Sequence, residues 1–184
     1  MITIIHGGHR EGLCFEAYNI FKDFIDKKKL EVKFFSLRDY DINFCCGDQP
    51  CQSSGVCIHK DTVSNDIIPV IANSDAILFF TPTYFNLPPA MLKNFMDRCN
   101  FLLTIKDRKH PNFGAWVSGT EKDSPEDNYM CLATFANIFE WKPLENGGII
   151  RIEPDIITKQ LSQDDLCKLQ NLAKKVCERT LRRK

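Results

Sequence analysis

An excess of charge of either sign is missing from this chain of 184 residues, in which 24 Lys and Arg stand against 24 Asp and Glu. That balance argues against a general nucleic-acid or polyanion binder, which needs a basic surplus. Long apolar runs are missing as well. No stretch approaches the ~20 residues that span a bilayer, and the opening Met1-Ile-Thr-Ile-Ile-His6 has no basic leader. A cytoplasmic protein is expected, with neither membrane nor nucleic acid as partner. Nine glycines and nine prolines are thinly spread, without a Pro/Gly/Ser linker, an internal repeat or a low-complexity tract, so residues 1–184 are expected to form one domain. Two phosphate-binding signatures are absent too: neither G-x-G-x-x-G nor G-x-x-x-x-G-K-[ST] occurs, which disfavours a dinucleotide fold of the first type and a P-loop nucleotidase.

Cysteine, by contrast, is plentiful, with nine in the chain. A chain of this size buries roughly 70% of its unfolded surface and needs no staples for stability. Cys14, Cys99, Cys131, Cys167 and Cys177 fall in helical patterns, where a free thiol acts as a small hydrophobe. Cys45, Cys46, Cys51 and Cys57 lie within thirteen residues among Gly, Pro, Ser and Asp. In a reducing compartment such a cluster points to metal, iron–sulfur or redox chemistry.

The periodicity predicts strands and helices in alternation. Ile2–Ile5 reads as a strand, stopped by His6-Gly-Gly8. Leu13–Lys28 carries apolar residues at spacings of three and four, a helix stripe. Leu30–Ser36 alternates as a second strand, and residues 38–60 form a long loop holding the cysteines. Asp61 or Thr62 caps a helix that stops near Asn73-Ser74. Asp75–Phe80 is a continuous apolar run, as in a strand covered on both faces. A helix from Pro89 to Leu103, a strand at Phe113–Val117, a helix from Asp127 to Trp141 and a fifth strand at Gly148–Ile152 follow. Ser162 caps a last helix, Gln163–Arg182. The sum is an α/β three-layer sandwich with a parallel sheet.

In doubly wound sheets ligands bind beyond the carboxyl ends of the strands, which selects the loops Gly7–Leu13, Thr81–Asn86 and Ser118–Glu126. The first leads into a helix start whose free N–H groups suit an anion, and Arg10 adds charge. The second is stiffened by Pro82 and carries Tyr84 and Phe85, which suit a flat heteroaromatic ligand or cap the core. His6 and His9 flank the glycine turn and read as hydrogen-bonding loop residues; no protein acid or base is assigned.

Ile4-Ile-His-Gly-Gly-His-Arg10, the stretch Asp75–Phe85 with Thr-Pro-Thr-Tyr-Phe, and Leu92-Lys-Asn-Phe-Met-Asp-Arg98 carry a resemblance over about residues 1–120. The chain resembles the flavodoxin-like NAD(P)H-dependent FMN reductases and, within them, the iron–sulfur flavoproteins. The resemblance implies a flavodoxin-like five-stranded parallel sheet in the order 2-1-3-4-5. It further implies FMN held by Gly8, His9, Arg10, Gly12, Leu13 and Cys14 at its phosphate, by Pro82, Thr83, Tyr84, Phe85 and Asn86 at the isoalloxazine, and flanked by Ser118 and Gly119. NAD(P)H is the implied donor and a small molecule or an iron–sulfur centre the acceptor, in a homodimer; Phe135, Phe139 and Trp141 either offer surface to it or pack the core. An electron carrier or binding module without turnover is the alternative, and a metal-sensing scaffold a third. Two positions depart from the family: Gly8 replaces the usual Ser, and Cys14 falls where a hydroxyl residue is expected. Cys45, Cys46, Cys51 and Cys57 are the implied metal ligands, for a 4Fe–4S cluster. The second ligand position is Asp48, so the loop is expected to hold iron less stably than a four-cysteine version. Zinc, or no metal, are the other readings of that loop.

Overall fold

The computed structural model describes residues 1–47, 50–119, 124–144 and 161–181. Its strands are β1 (Ile2–His6), β2 (Val32–Ser36), β3 (Ala76–Pro82), β4 (Asn112–Ser118) and β5 (Lys142–Pro143), and its α-helices are α1 (Leu13–Asp26), α2 (Pro50–Ser54), α3 (Ile68–Ala72), α4 (Ala90–Arg98), α5 (Pro125–Ile138) and α6 (Gln163–Leu181). All pairings are parallel and the order is β2-β1-β3-β4-β5, as expected for a flavodoxin-like sheet.

Strand alternation splits the core in two. Ala76, Leu78 and Phe80 of β3 face α1 and α6 along with Ile2, Ile4 and Trp116. Ile77 and Phe79 turn to the other layer, among residues of α3, α4 and α5. Because both faces are covered, β1 and β4 are buried at every residue and β3 at all but Pro82, which is why the Ala76–Phe80 part of β3 reads as an unbroken apolar run.

Several boundaries differ from the sequence reading. The helix expected after Asp61 is a widened π-type turn, Val63–Ile67, followed by α3. Pro69 has no N–H to give the carbonyl four residues back, so the turn before it loosens. Asp61 does cap it, its carboxylate accepting from the Ser64 amide at 3.1 Å. The helix expected over 89–103 is α4 plus a 3-10 turn, Cys99–Thr104. The residues expected as the fifth strand, 148–152, lie outside the described ones; the strand beside β4 is Lys142–Pro143, where an edge position tolerates a proline. Ser162 caps α6 through a reciprocal pair with Asp165.

Two surface expectations are corrected. Phe135, Phe139 and Trp141 are core residues, 7%, 2% and 4% exposed; Trp141 stacks on Phe79 and Phe139, and Phe135 meets Phe79 and Phe139 edge-on. Of the large hydrophobic residues of α5, Met130 and Ile138 are the ones left exposed. Cys167 is exposed rather than packed, whereas Cys14, Cys99 and Cys177 are buried as expected. No helix among the described residues is long and apolar enough to cross a membrane.

Candidate functional site

The loops after β1, β3 and β4 meet at the carboxyl edge of the sheet around a cavity of about 280 Å³, lined by His6, residues 8–14, Pro82, Thr83, Tyr84, Ser118 and Gly119. Its floor begins with a close approach: a Cβ on Gly7 would stand 2.8 Å from Leu92 and 2.9 Å from the Thr81 hydroxyl. Only glycine lets the turn seat against α4 and β3 there. Gly12 caps α1 with no side-chain hydrogen bond, and the amides of residues 8–13 donate to no acceptor among the described residues. Unsatisfied amides and the positive end of the helix dipole therefore face one space. Arg10 lines the same space, exposed and without an ion pair among the described residues.

The second loop is braced from behind. The Thr83 amide donates to the Ser118 carbonyl at 2.6 Å, and Asn128 of α5 donates to the Pro82 carbonyl and the Thr83 hydroxyl. Tyr84 and Leu87 exchange backbone hydrogen bonds at 3.0 Å around Phe85 (φ 50°) and Asn86 (φ 65°), the signature of a type I′ turn. That turn lifts Phe85 and Asn86 out of the cavity, a departure from the sequence expectation. Phe85 is 96% exposed at the tip, and the Asn86 side-chain carbonyl accepts from the Ser124 amide, tying the turn to the start of α5. The His9 ring lies parallel to that of Tyr84, centroids 5.8 Å apart, joining the first two loops.

The two departures from the family pattern have different outcomes. The Cys14 sulfur sits 3.0 Å from the Ser118 hydroxyl, and burial pushes its thiol up to about 12, so it is a neutral strut between the first and third loops. Gly8 leaves room that His6 fills. His6 is not a loop residue: it ends β1 and is fully buried. Its Nδ1 pairs with the Ser36 hydroxyl at 3.0 Å and its Nε2 has no partner among the described residues. Burial holds the ring at about 4, with Arg38 pressing the same way against Asp39 and Glu11.

A larger cavity, about 570 Å³, lies under the cysteine loop and is lined by Cys45, Cys46, Cys51 and Cys57, by His59, and by an apolar wall that includes Met96, Phe101 and Phe139. α4 holds both ends of this loop. Asn94 donates to the Ile42 carbonyl at 2.7 Å. Arg98, its side chain 1% exposed, donates to the Asn43 carbonyl, to both oxygens of Asp61, and to the Ser64 hydroxyl. Burial alone would raise the Cys57 thiol, but hydrogen bonds from Ser64, the His59 amide and Arg98, with the charge of Arg98, leave it below the usual thiol range. Asp61, against the same opposing burial, is held down to about 2 by Arg98 and the Ser64 amide.

The four thiols share that cavity without converging. Cys46 is 3.6 Å from His59 Nε2, Cys57 is 3.6 Å from Arg98 and Cys51 is 4.0 Å from Asn100. Among the described residues no three of Cys, His, Asp and Glu stand close enough to share a metal ion. Asp48 lies outside the described residues. The arrangement of the described residues does not fit a cluster.

Asn94, Arg98 and Asn128 are polar groups that the sequence reading left without a role, and His6 is one that it read as a loop residue. Asn128 and Asn94 had a signal: a buried-stripe position in an amphipathic helix occupied by an amide. Arg98 closes a segment that carried the resemblance. His6 had no signal beyond its place at a strand end.

Sheet order, helix layers and a ligand cavity at the carboxyl edge define a flavodoxin-like protein. The family model for NADPH-dependent FMN reductase matches residues 1–119, more than half the chain, and the chain belongs to that family. An iron-sulfur flavoprotein of Methanocaldococcus jannaschii is 32% identical over 136 residues, 72% of this chain and 68% of that protein. One of Clostridioides difficile is 30% identical over 107 residues, 56% of this chain and 47% of that protein. The chain thus spans about half to two thirds of the length of these relatives. Of solved structures, RosB with bound 8-demethyl-8-formylriboflavin-5'-phosphate is similar at a TM-score of 0.76 and 10% identity, over 98% of this chain and 79% of that one. A flavodoxin from the domain Archaea is similar at 0.65 and 13% identity, over 98% and 99%. At such identities the likeness is one of fold.

Proposed function

We propose that this chain, working as one domain over residues 1–184, is an FMN-dependent oxidoreductase that takes hydride from NAD(P)H and passes the electrons to a small acceptor. The observation that carries this reading is the meeting, in one cavity at the strand ends, of the stiff Pro82-Thr83-Tyr84 wall with amides and an Arg10 that have no partner among the described residues. Its volume, about 280 Å³, is at the lower end for small-molecule sites, roughly 300 Å³ and upward, which suits a flat ligand with one edge in solvent. Bound there, FMN supplies the two-electron chemistry, so the protein need supply only placement and electrostatics.

The amides of residues 8–13 and Arg10 hold the phosphate, charge-assisted donors to an anion. Pro82, Thr83 and Tyr84, fixed from behind by Asn128 and Ser118, hold the ring system in one orientation. Cys14 keeps the first and third loops at a constant spacing through Ser118. No side chain is assigned as acid or base.

Steady-state oxidation of NADH and NADPH by purified protein, with and without added FMN and a quinone, tests the reading. Sustained FMN-dependent turnover is expected. Binding of FMN with no oxidation beyond one equivalent of nicotinamide would instead identify an electron carrier.

A further inference from the structure

The unpartnered nitrogen under the first loop has a use. The point where a Cβ on Gly8 would stand lies 2.8 Å from His6 Nε2 and 3.0 Å from its Cε1. The His6 ring and any side chain at position 8 therefore exclude each other, and the absent hydroxyl at position 8 and the buried imidazole are one exchange. His6 is 0% exposed, lines the cavity at the start of α1, and leaves Nε2 unsatisfied among the described residues. A buried polar atom without a partner forfeits its hydration with nothing in return, so it marks a place where a partner belongs. The other departure does not supply one, because the Cys14 thiol is engaged with Ser118.

We propose that His6 replaces the position-8 hydroxyl as an anion ligand, donating from Nε2 to the phosphate of bound FMN; this rests on the FMN reading above. The donor state follows from Ser36. A neutral ring carries one N–H, and when the Ser36 hydroxyl donates to Nδ1 the proton is on Nε2, facing the loop. Phe15 and Phe34 pack against the ring, edge-on at 5.6 Å and stacked at 6.3 Å between centroids, and fix its plane. Arg38, Glu11 and Asp39 are the charged groups around it. Of these, Arg38 and Glu11 are already paired at 2.5 Å, and Arg38 lies 3.5 Å from Asp39, so the Arg38 guanidinium is engaged by carboxylates and His6 adds its donor to those of Arg10 and the loop amides.

Dissociation constants for FMN and riboflavin, read by flavin fluorescence quenching, test this in the wild-type chain, His6→Ala, His6→Gln, Gly8→Ser and the double variant His6→Ala/Gly8→Ser. His6→Ala is expected to weaken FMN by about 10- to 100-fold, the weight of a hydrogen bond to a charged group, and to leave riboflavin unchanged, which also certifies the folded site. His6→Gln, which keeps a donor, recovers part of the loss. Gly8→Ser alone weakens FMN because its Cβ cannot coexist with the ring, and the double variant binds FMN more tightly than either single variant. An FMN-to-riboflavin ratio left at the wild-type value in both His6 variants overturns the inference while the FMN reading stands. A wild-type chain that binds neither flavin, or shows no preference for FMN, overturns the FMN reading itself.

Discussion

The two cavities of this molecule are made of different materials. The smaller one is built from strand ends, amides and a helix start, so it is shaped by the sheet before any side chain is chosen. The larger depends on thiols carried by a loop that α4 grips at both ends, through Asn94 and Arg98. Where two hydroxyl side chains are missing, at Gly8 and Cys14, the loop amides and the start of α1 still line the smaller cavity, and the His6 ring takes the room beside Gly8. A site of thiolates has no such reserve, and here each of three sulfurs turns to its own neighbour.

The strongest way to break this comparison is Arg98→Ala. It strands Asp61 and frees both ends of the cysteine loop. Losing one partner of a buried pair costs about 3–5 kcal/mol, which urea denaturation measures. If the cavities are independent, the protein that remains folded keeps its FMN affinity; a parallel loss would show them to be coupled.

Acid separates the regions next. His6 is held at about 4 against an ordinary 6.5, so the unfolded chain binds a proton that the native ring refuses. Its contribution is fully present above pH 6.5 and lost as pH falls from 6.5 to 4, on the order of 3 kcal/mol in all. Asp61 lies near 2 against an ordinary 3.8. Its contribution, about 2 kcal/mol, is present above pH 3.8 and lost as pH falls toward 2. Stability measured against pH should thus fall in two steps, the first removed in His6→Gln and the second in Asp61→Asn. A single step insensitive to His6 would refute the assignment to the flavin side.

Smaller still is Arg10→Ala, expected to weaken FMN about tenfold, one charge-assisted contact, and riboflavin little. Equal losses for both flavins would remove Arg10 from the phosphate. The smallest effect is at Phe85. An exposed aromatic at φ 50° is strained, and Phe85→Gly should stabilise the fold by about 1 kcal/mol. A simultaneous fall in FMN affinity would place the Phe85 ring on the ligand.

Much of the fold was legible because its signals are local or periodic. Asp75–Phe80 could only be a strand covered on both sides, and Ser162 and Asp165 announce a capped helix. The loops were legible because strand ends in a parallel sheet gather at one edge. The aromatics Phe135, Phe139 and Trp141 were not, since a hydrophobic stripe does not say whether a core or a partner covers it. That Phe85 and Asn86 stand outside the cavity lining was not legible for a related reason: their residue types suit a flat ligand, while the Tyr84–Leu87 pairing that sets them apart is a backbone event.

The sequence by itself determined the parallel α/β frame, the edge at which the smaller cavity opens, and the residues of the three loops, because hydrophobic period and turn chemistry are written residue by residue. Only the tertiary structure decided what His6, Arg98 and the cysteines do. Their roles depend on what lies across space: Gly8 making room for an imidazole, α4 holding a loop more than thirty residues away in the chain, and thiols whose direction the backbone sets. Spacing can place such groups near one another, but it takes the packed fold to decide which atoms meet.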